Sequence, residues 1–179
     1  IINSFDIRVP DGFPVAKASN LLYKNNQKRV DGYNIFHKTI QKGLDNNLSH
    51  YFFGSDEEKV IKLKSQLLSK YPNINILGYS CPPFMSFEDL TAEDYISDLK
   101  EKDADIVWVS LGFPKQEEFI ELLLRNNNLD SNFAGIGAVF EWSAGTKIKA
   151  PEFFANIGLE WIFRLVQEPR RLFKRYFVD

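Results

Sequence analysis

Cysteine occurs once in the 179 residues, at Cys81, which excludes an internal disulfide framework and fits a reducing compartment. Histidine occurs twice, and neither His37 nor His50 has a second His or a Cys at metal-ligand spacing. No apolar run approaches the ~20 residues that a membrane-spanning helix needs, and no stretch reads as a secretory signal. Charge of one sign is not in excess: 22 Lys and Arg stand against 24 Asp and Glu, a net of −2, so bulk charge gives no reason to expect a nucleic-acid partner. No Gly-x-Gly-x-x-Gly turn follows the first apolar run, which argues against a dinucleotide enzyme. Internal repeats and low-complexity segments are also absent.

What is present describes a globular chain long enough for a real core, with 44% hydrophobic and 15% aromatic residues. Its organising stretch is Asp105–Ile120, DIVWVSLGFPKQEEFI. The β-branched run Ile106–Leu111 suits a strand buried on both faces. Gly112 permits a sharp turn, and Pro114 fits the start of a helix, where its missing N–H costs nothing. Phe119, Leu122 and Leu123 then continue an apolar helical face. Strand, tight turn and helix in this order build the ligand crevice of open parallel sheets, and Gln116 is expected there with its amide free to bind.

Along the chain, Phe5–Val9 is predicted as a strand ended by Pro10-Asp11-Gly12, and Val15–Tyr23 as a helix. Asp11 is then either a turn residue bonded to backbone or a functional carboxylate at a strand end. Arg29 lies in the charged connection Lys28–Gly32, either as a solvated side chain or as a phosphate ligand. Tyr33–Leu44 reads as a helix and Leu48–Phe53 as a strand. Ser55 and Glu58 form a capping box for a helix running to Tyr71. Ile74–Tyr79 reads as a strand, Cys81–Phe84 as a loop with an inert thiol, and Thr91–Lys100 as a helix. Asp103-Ala104-Asp105 matches the Asp-x-Asp that binds a metal in many nucleotide-sugar transferases. It precedes its strand, opposite the Gly turns, and is rejected as a metal site on that ground. Phe133–Phe140 reads as a further strand, with Gly135 and Gly137 serving either a close ligand or tight packing. The alternation predicts an α/β fold, a Rossmann-like, mainly parallel sheet flanked by helices over residues 1–150. Residues 151–179 form a C-terminal helical appendage that interleaves Arg164, Arg171, Lys174 and Arg175 with aromatics, suiting an anionic membrane surface or a phosphorylated ligand, or a packed terminal helix with solvated charges.

The segments PDGFPVAKAS (10–19), KRVDGYNIF (28–36), LGFPKQEEFI (111–120), GIGAVFEWSAGTKIKAP (135–151) and GLEWIFRLVQEPRRLFKRY (158–176) resemble, in order and spacing, the WecG/TagA/CpsF family of glycosyltransferases, also called family 26. The resemblance implies an inverting, metal-independent enzyme without cofactor. It would move N-acetylmannosamine or a related sugar from a UDP-sugar donor to a polyprenyl-diphosphate-linked acceptor, in the synthesis of teichoic acid or exopolysaccharide. It implies a cytoplasmic protein, peripheral on the inner face of the cell membrane, with a homo-oligomer among the assemblies open to it. It implies Asp11 as base and Arg29 and Gln116 as active-site residues. It also implies contacts to substrate from Gly12, Gly112, Pro114, Gly135 and Gly137, and closure of Arg164, Arg171, Lys174 and Arg175 over the diphosphate. Members of the family carry a further strand and helix ahead of the Asp-Gly motif, so the chain is expected to be truncated at its N-terminus. The rival from another class is a non-catalytic nucleotide-sugar-binding or assembly subunit of the same fold.

Overall fold

The computed structural model describes residues 4–90, 93–126, 129–169 and 172. The chain divides into two compact units, one formed by Ile1–Arg8 with Gly32–Lys147, the other by Val9–Asp31 with Ile148–Asp179.

The first unit is a four-stranded, all-parallel sheet flanked by helices. Its strands are β1 (Ser49–Gly54), β2 (Asn75–Ser80), β3 (Ile106–Ser110) and β4 (Asn132–Gly135), in the spatial order β2-β1-β3-β4. Period-two alternation assigns each side chain to a layer. Phe52 and Trp108 point to one side, where α2 (Gly32–Gly43), α3 (Glu57–Lys70) and α7 (Val139–Ser143) supply Phe36, Ile40, Val60, Leu63, Leu67 and Phe140. Tyr51, Phe53, Val107 and Val109 point to the other, against α4 (Phe87–Leu90), α5 (Glu93–Lys102) and α6 (Lys115–Asn126). Because both faces are covered, the central strands are near-continuous apolar runs, and each fully buried aromatic or aliphatic side chain contributes about 1.5–3 kcal/mol.

The chain runs from β1 outward to β2, then back across to β3 and on to β4. The direction of winding therefore reverses between β1 and β3. Open α/β sheets bind ligands at the carboxyl ends of the two strands that flank such a reversal.

Three expectations are corrected here. Residues 5–9 form no strand: only Phe5 packs on a core, while Ile7 is 82% exposed, because among the described residues no strand pairs with them. The cap of α3 is Asp56, whose carboxylate accepts from Lys59 N–H at 3.1 Å, and not Ser55. Ser55 sits at φ +62° and carries the turn, whereas a cap needs the extended backbone that Asp56 has. The run Phe133–Phe140 is not one strand. It breaks after β4, and Val139 and Phe140 enter α7, where Phe140 meets Phe52 edge-on at 5.5 Å.

The second unit holds α1 (Phe13–Tyr23), α8 (Glu152–Asn156) and α9 (Glu160–Gln167). Val30 N–H donates to Pro10 O at 3.0 Å, and the Gln167 amide bonds both the N–H and the carbonyl of Ile148. Leu172 is buried, while Arg171, Lys174 and Arg175 lie outside the described residues. Among the described residues no helix is long and apolar enough to cross a membrane.

His50 gives the first unit an acid sensitivity. It is buried in β1, and its Nδ1 accepts from Trp108 Nε1 at 3.2 Å. Burial lowers its pKa from 6.5 to about 4, against a smaller upward pull from Asp105. A neutral folded imidazole means that the unfolded chain binds the extra proton. The stabilisation is therefore complete above pH 6.5 and is lost as pH falls towards 4, by about 3 kcal/mol at 1.36 kcal/mol per unit. Urea midpoints are expected to fall between pH 7.5 and 4.5. His50→Asn, whose carbonyl still accepts from the indole, is expected to flatten that slope. An unchanged slope in the variant would remove His50 as its source.

Candidate active site

At the carboxyl edge of the sheet the strand ends are drawn close. Ser55 N–H donates to Ser110 O at 3.0 Å, and a Cβ on Gly54 would stand only 2.6 Å from that carbonyl, so no larger residue fits there. Gly112 (φ +79°) turns the chain after β3 into α6, and Gln116 N–H bonds back to Gly112 O at 2.9 Å. Pro114 precedes α6, and its carbonyl accepts from the N–H groups of Glu117 and Glu118. From the neighbouring loop, Met85 O accepts from Lys115 Nζ at 2.6 Å, and the same ammonium lies 4.3 Å from the ring centre of Phe84.

Gln116 is not free, contrary to expectation. It is 6% exposed, its Oε1 accepts from Gly137 N–H at 3.1 Å, and its Nε2 donates to Glu117 Oε1 at 2.8 Å. Ser110 Oγ donates to Gly137 O at 2.7 Å, so both ends of residue 137 are held by side chains. A Cβ on Gly135 would come within 2.9 Å of Gln116 Nε2. The glycine therefore makes room for Gln116, which is the packing alternative, and Gln116 serves as a scaffold for the turn after β4. Ser110, a partner in this network, lies outside the quoted motifs, and Glu117 lies within LGFPKQEEFI without having been singled out.

Other sequence candidates fall elsewhere. Cys81 is half-buried and burial, followed by Glu57 and Asp56, pushes its thiol up to about 11, leaving it protonated and inert at neutral pH. Asp105 stands at the amino end of β3 and accepts from Ser49 N–H at 2.8 Å and Ser49 Oγ at 2.5 Å, contacts that hold it below the usual carboxylate range. It joins the amino ends of β1 and β3. His37 is buried, with Nδ1 on the Tyr71 hydroxyl and Nε2 on Ser143 Oγ. It borders an open cavity of about 360 Å³ near the last turn of α3, which leads to the amino end of β2.

The second unit gathers a charged cluster. Asp11 is exposed just ahead of α1, and Gly12, extended, caps that helix, its carbonyl accepting from Ala16 N–H. Arg29 Nε donates to Asp11 O at 2.7 Å, and Arg29 Nη2 pairs with Glu160 Oε2 at 2.8 Å. Lys149 pairs with Asp31 two residues along. Arg164 lies one turn after Glu160 on α9. Glu160 and Lys149 were not singled out by sequence, although each lies within a quoted motif.

A model described as the WecG/TagA/CpsF family of glycosyl transferases matches residues 1–179. The chain belongs to this family. Similar proteins include one from Bacillus spizizenii, 29% identical over 178 residues, covering 96% of this chain and 64% of the relative. Another, from Bacillus subtilis, is 29% identical over 171 residues with the same coverage. A third, from Staphylococcus aureus, is 30% identical over 173 residues, covering 96% and 65%. Each is named N-acetylglucosaminyldiphosphoundecaprenol N-acetyl-beta-D-mannosaminyltransferase. The chain thus spans a little under two-thirds of the length of these relatives. In WecG/TagA/CpsF terms, the residues implied by the resemblance divide between the units: Gly112, Pro114, Gln116, Gly135 and Gly137 in the first, and Asp11, Gly12, Arg29 and Arg164 in the second.

Proposed function

We propose that this chain belongs to an inverting glycosyltransferase that moves N-acetylmannosamine, or a closely related sugar, from a UDP-sugar to an N-acetylglucosaminyl-diphosphate-polyprenol acceptor. The reading rests on one observation, the match of residues 1–179 to the family together with relatives whose names specify that acceptor and that sugar.

The chemistry fits the residues. In an inverting transfer the acceptor hydroxyl attacks the anomeric carbon as the bond to UDP breaks, and its proton passes to a base. Asp11, exposed ahead of α1, is assigned that role. The electron pair of the broken bond leaves on the β-phosphate, and cations stabilise it. Arg164, Arg171, Lys174 and Arg175 of the appendage, residues 151–179, are assigned to it, because guanidinium groups bind phosphate in a fork. Gln116 acts indirectly, through the turn it holds after β4. Action at the inner membrane face is part of the proposal. It is supported by the lipid-linked acceptor of the relatives and by exposed apolar side chains on α8 and α9, among them Phe153, Trp161 and Val166.

The test uses the full-length protein with UDP-N-acetylmannosamine and a short-chain N-acetylglucosaminyl-diphosphate lipid. Acceptor-dependent UDP release is expected, together with a UDP-sugar-dependent rise in melting temperature. A rise in melting temperature without turnover would replace the enzyme reading by that of a nucleotide-sugar-binding subunit.

A further inference from the structure

Arg29 uses a single guanidinium to join two chain segments. Nε donates to the backbone carbonyl of Asp11 at 2.7 Å, while Nη2 donates to Glu160 Oε2 at 2.8 Å. The side chains of Arg29 and Glu160 are 16% and 22% exposed, so the pair is largely shielded from solvent. Asp11 is fixed through its own backbone, and its neighbour Pro10 is held by Val30 N–H at 3.0 Å. A long arginine side chain holds one rotamer only if both of its bonds are made. We propose that Glu160 is a positioning residue for the transfer: by orienting Arg29 it sets the backbone of Asp11, and hence where the carboxylate of the base is presented. The inference rests on the reading of Asp11 as base.

Glu160 suits this task. It lies in the first turn of α9, where the helix dipole favours a carboxylate. The adjacent pair of Lys149 with Asp31 fastens the same 28–31 segment independently. Loss of Glu160 therefore releases the arginine without releasing the segment, and the effect on rate separates from an effect on folding.

The experiment is a double-mutant cycle in the full-length enzyme, with UDP-N-acetylmannosamine and the short-chain lipid acceptor. Glu160→Gln is expected to lower kcat about tenfold with KM for the donor unchanged, and Arg29→Gln to lower it at least as much. The double variant is expected to be no slower than Arg29→Gln alone, because Glu160 acts through Arg29. Glu160→Asp, which keeps the charge, is expected to recover part of the rate. It also supplies the cycle if Glu160→Gln melts at a markedly lower temperature. Multiplicative losses in the double variant, or a raised KM at constant kcat, would overturn the proposal. Asp11→Asn distinguishes the two levels. Wild-type turnover in that variant removes the base reading itself, whereas loss of turnover there beside multiplicative Glu160 and Arg29 effects removes only the role of Glu160.

Discussion

Replacing Asp11 by Asn in the full-length enzyme is expected to lower turnover by about 10²–10⁴-fold while leaving the melting temperature nearly unchanged. The magnitude is that of a lost general base. The side chain is exposed and its carboxamide replacement has the same shape, so no buried group is uncovered. The bond from Arg29 reaches the backbone carbonyl, which the substitution leaves in place. Rate and stability should therefore part company in this variant. Donor affinity, measured by protection against heat, is expected to persist, because a base for the acceptor hydroxyl has no part in holding UDP. Turnover within twofold of wild type would rule Asp11 out as base and return it to the role of a turn residue ahead of α1.

The largest stability effect is expected at Trp108. Its ring lies at the centre of β3, is 1% exposed, and meets Phe36 edge-on at 4.8 Å. Trp108→Ala removes that contact area and leaves a cavity that the rigid sheet cannot close, at a cost of about 3–5 kcal/mol. It also strips His50 Nδ1 of its donor, which adds about 1–3 kcal/mol for an unsatisfied buried acceptor. Together these approach the ~5–15 kcal/mol that holds an ordinary domain folded. The variant is expected to be largely unfolded at 25 °C. Trp108→Phe keeps most of the volume, loses only the indole donor, and should remain folded with a urea midpoint shifted by a smaller amount. A loss below about 1 kcal/mol in Trp108→Ala would show that this layer repacks freely.

The sheet was legible because burial on both faces writes itself into a strand as a continuous apolar run, and Leu48–Phe53 and Ile106–Leu111 are such runs. Phe5–Val9 carries a different signal, an alternation of apolar and charged residues, and a pattern of period two does not encode whether a strand lies beside it to pair with. Phe133–Phe140 misled for a related reason, since apolar character continues through a glycine turn from a strand into a helix. At the candidate site, the expectation that the structure overturns is the free amide of Gln116. Gln116 looked free because Gly137, whose N–H its Oε1 accepts, comes within reach only when the turn after β4 folds onto α6, and because nothing in the sequence says that its Nε2 turns to the adjacent Glu117. Glu160 was missed because its partner Arg29 lies 131 residues earlier, beyond any spacing rule.

The second unit has a consequence for synthesis. Its pieces, Val9–Asp31 and Ile148–Asp179, are separated by the whole of the first unit's strand-bearing segment. At roughly 5–20 residues per second, a ribosome takes about 6–23 s to pass from one to the other. In that interval the parallel sheet can form, while Arg29 waits without its acid, Glu160. The order of translation thus lets the sheet of the first unit form before the Arg29–Glu160 pair of the second can be made.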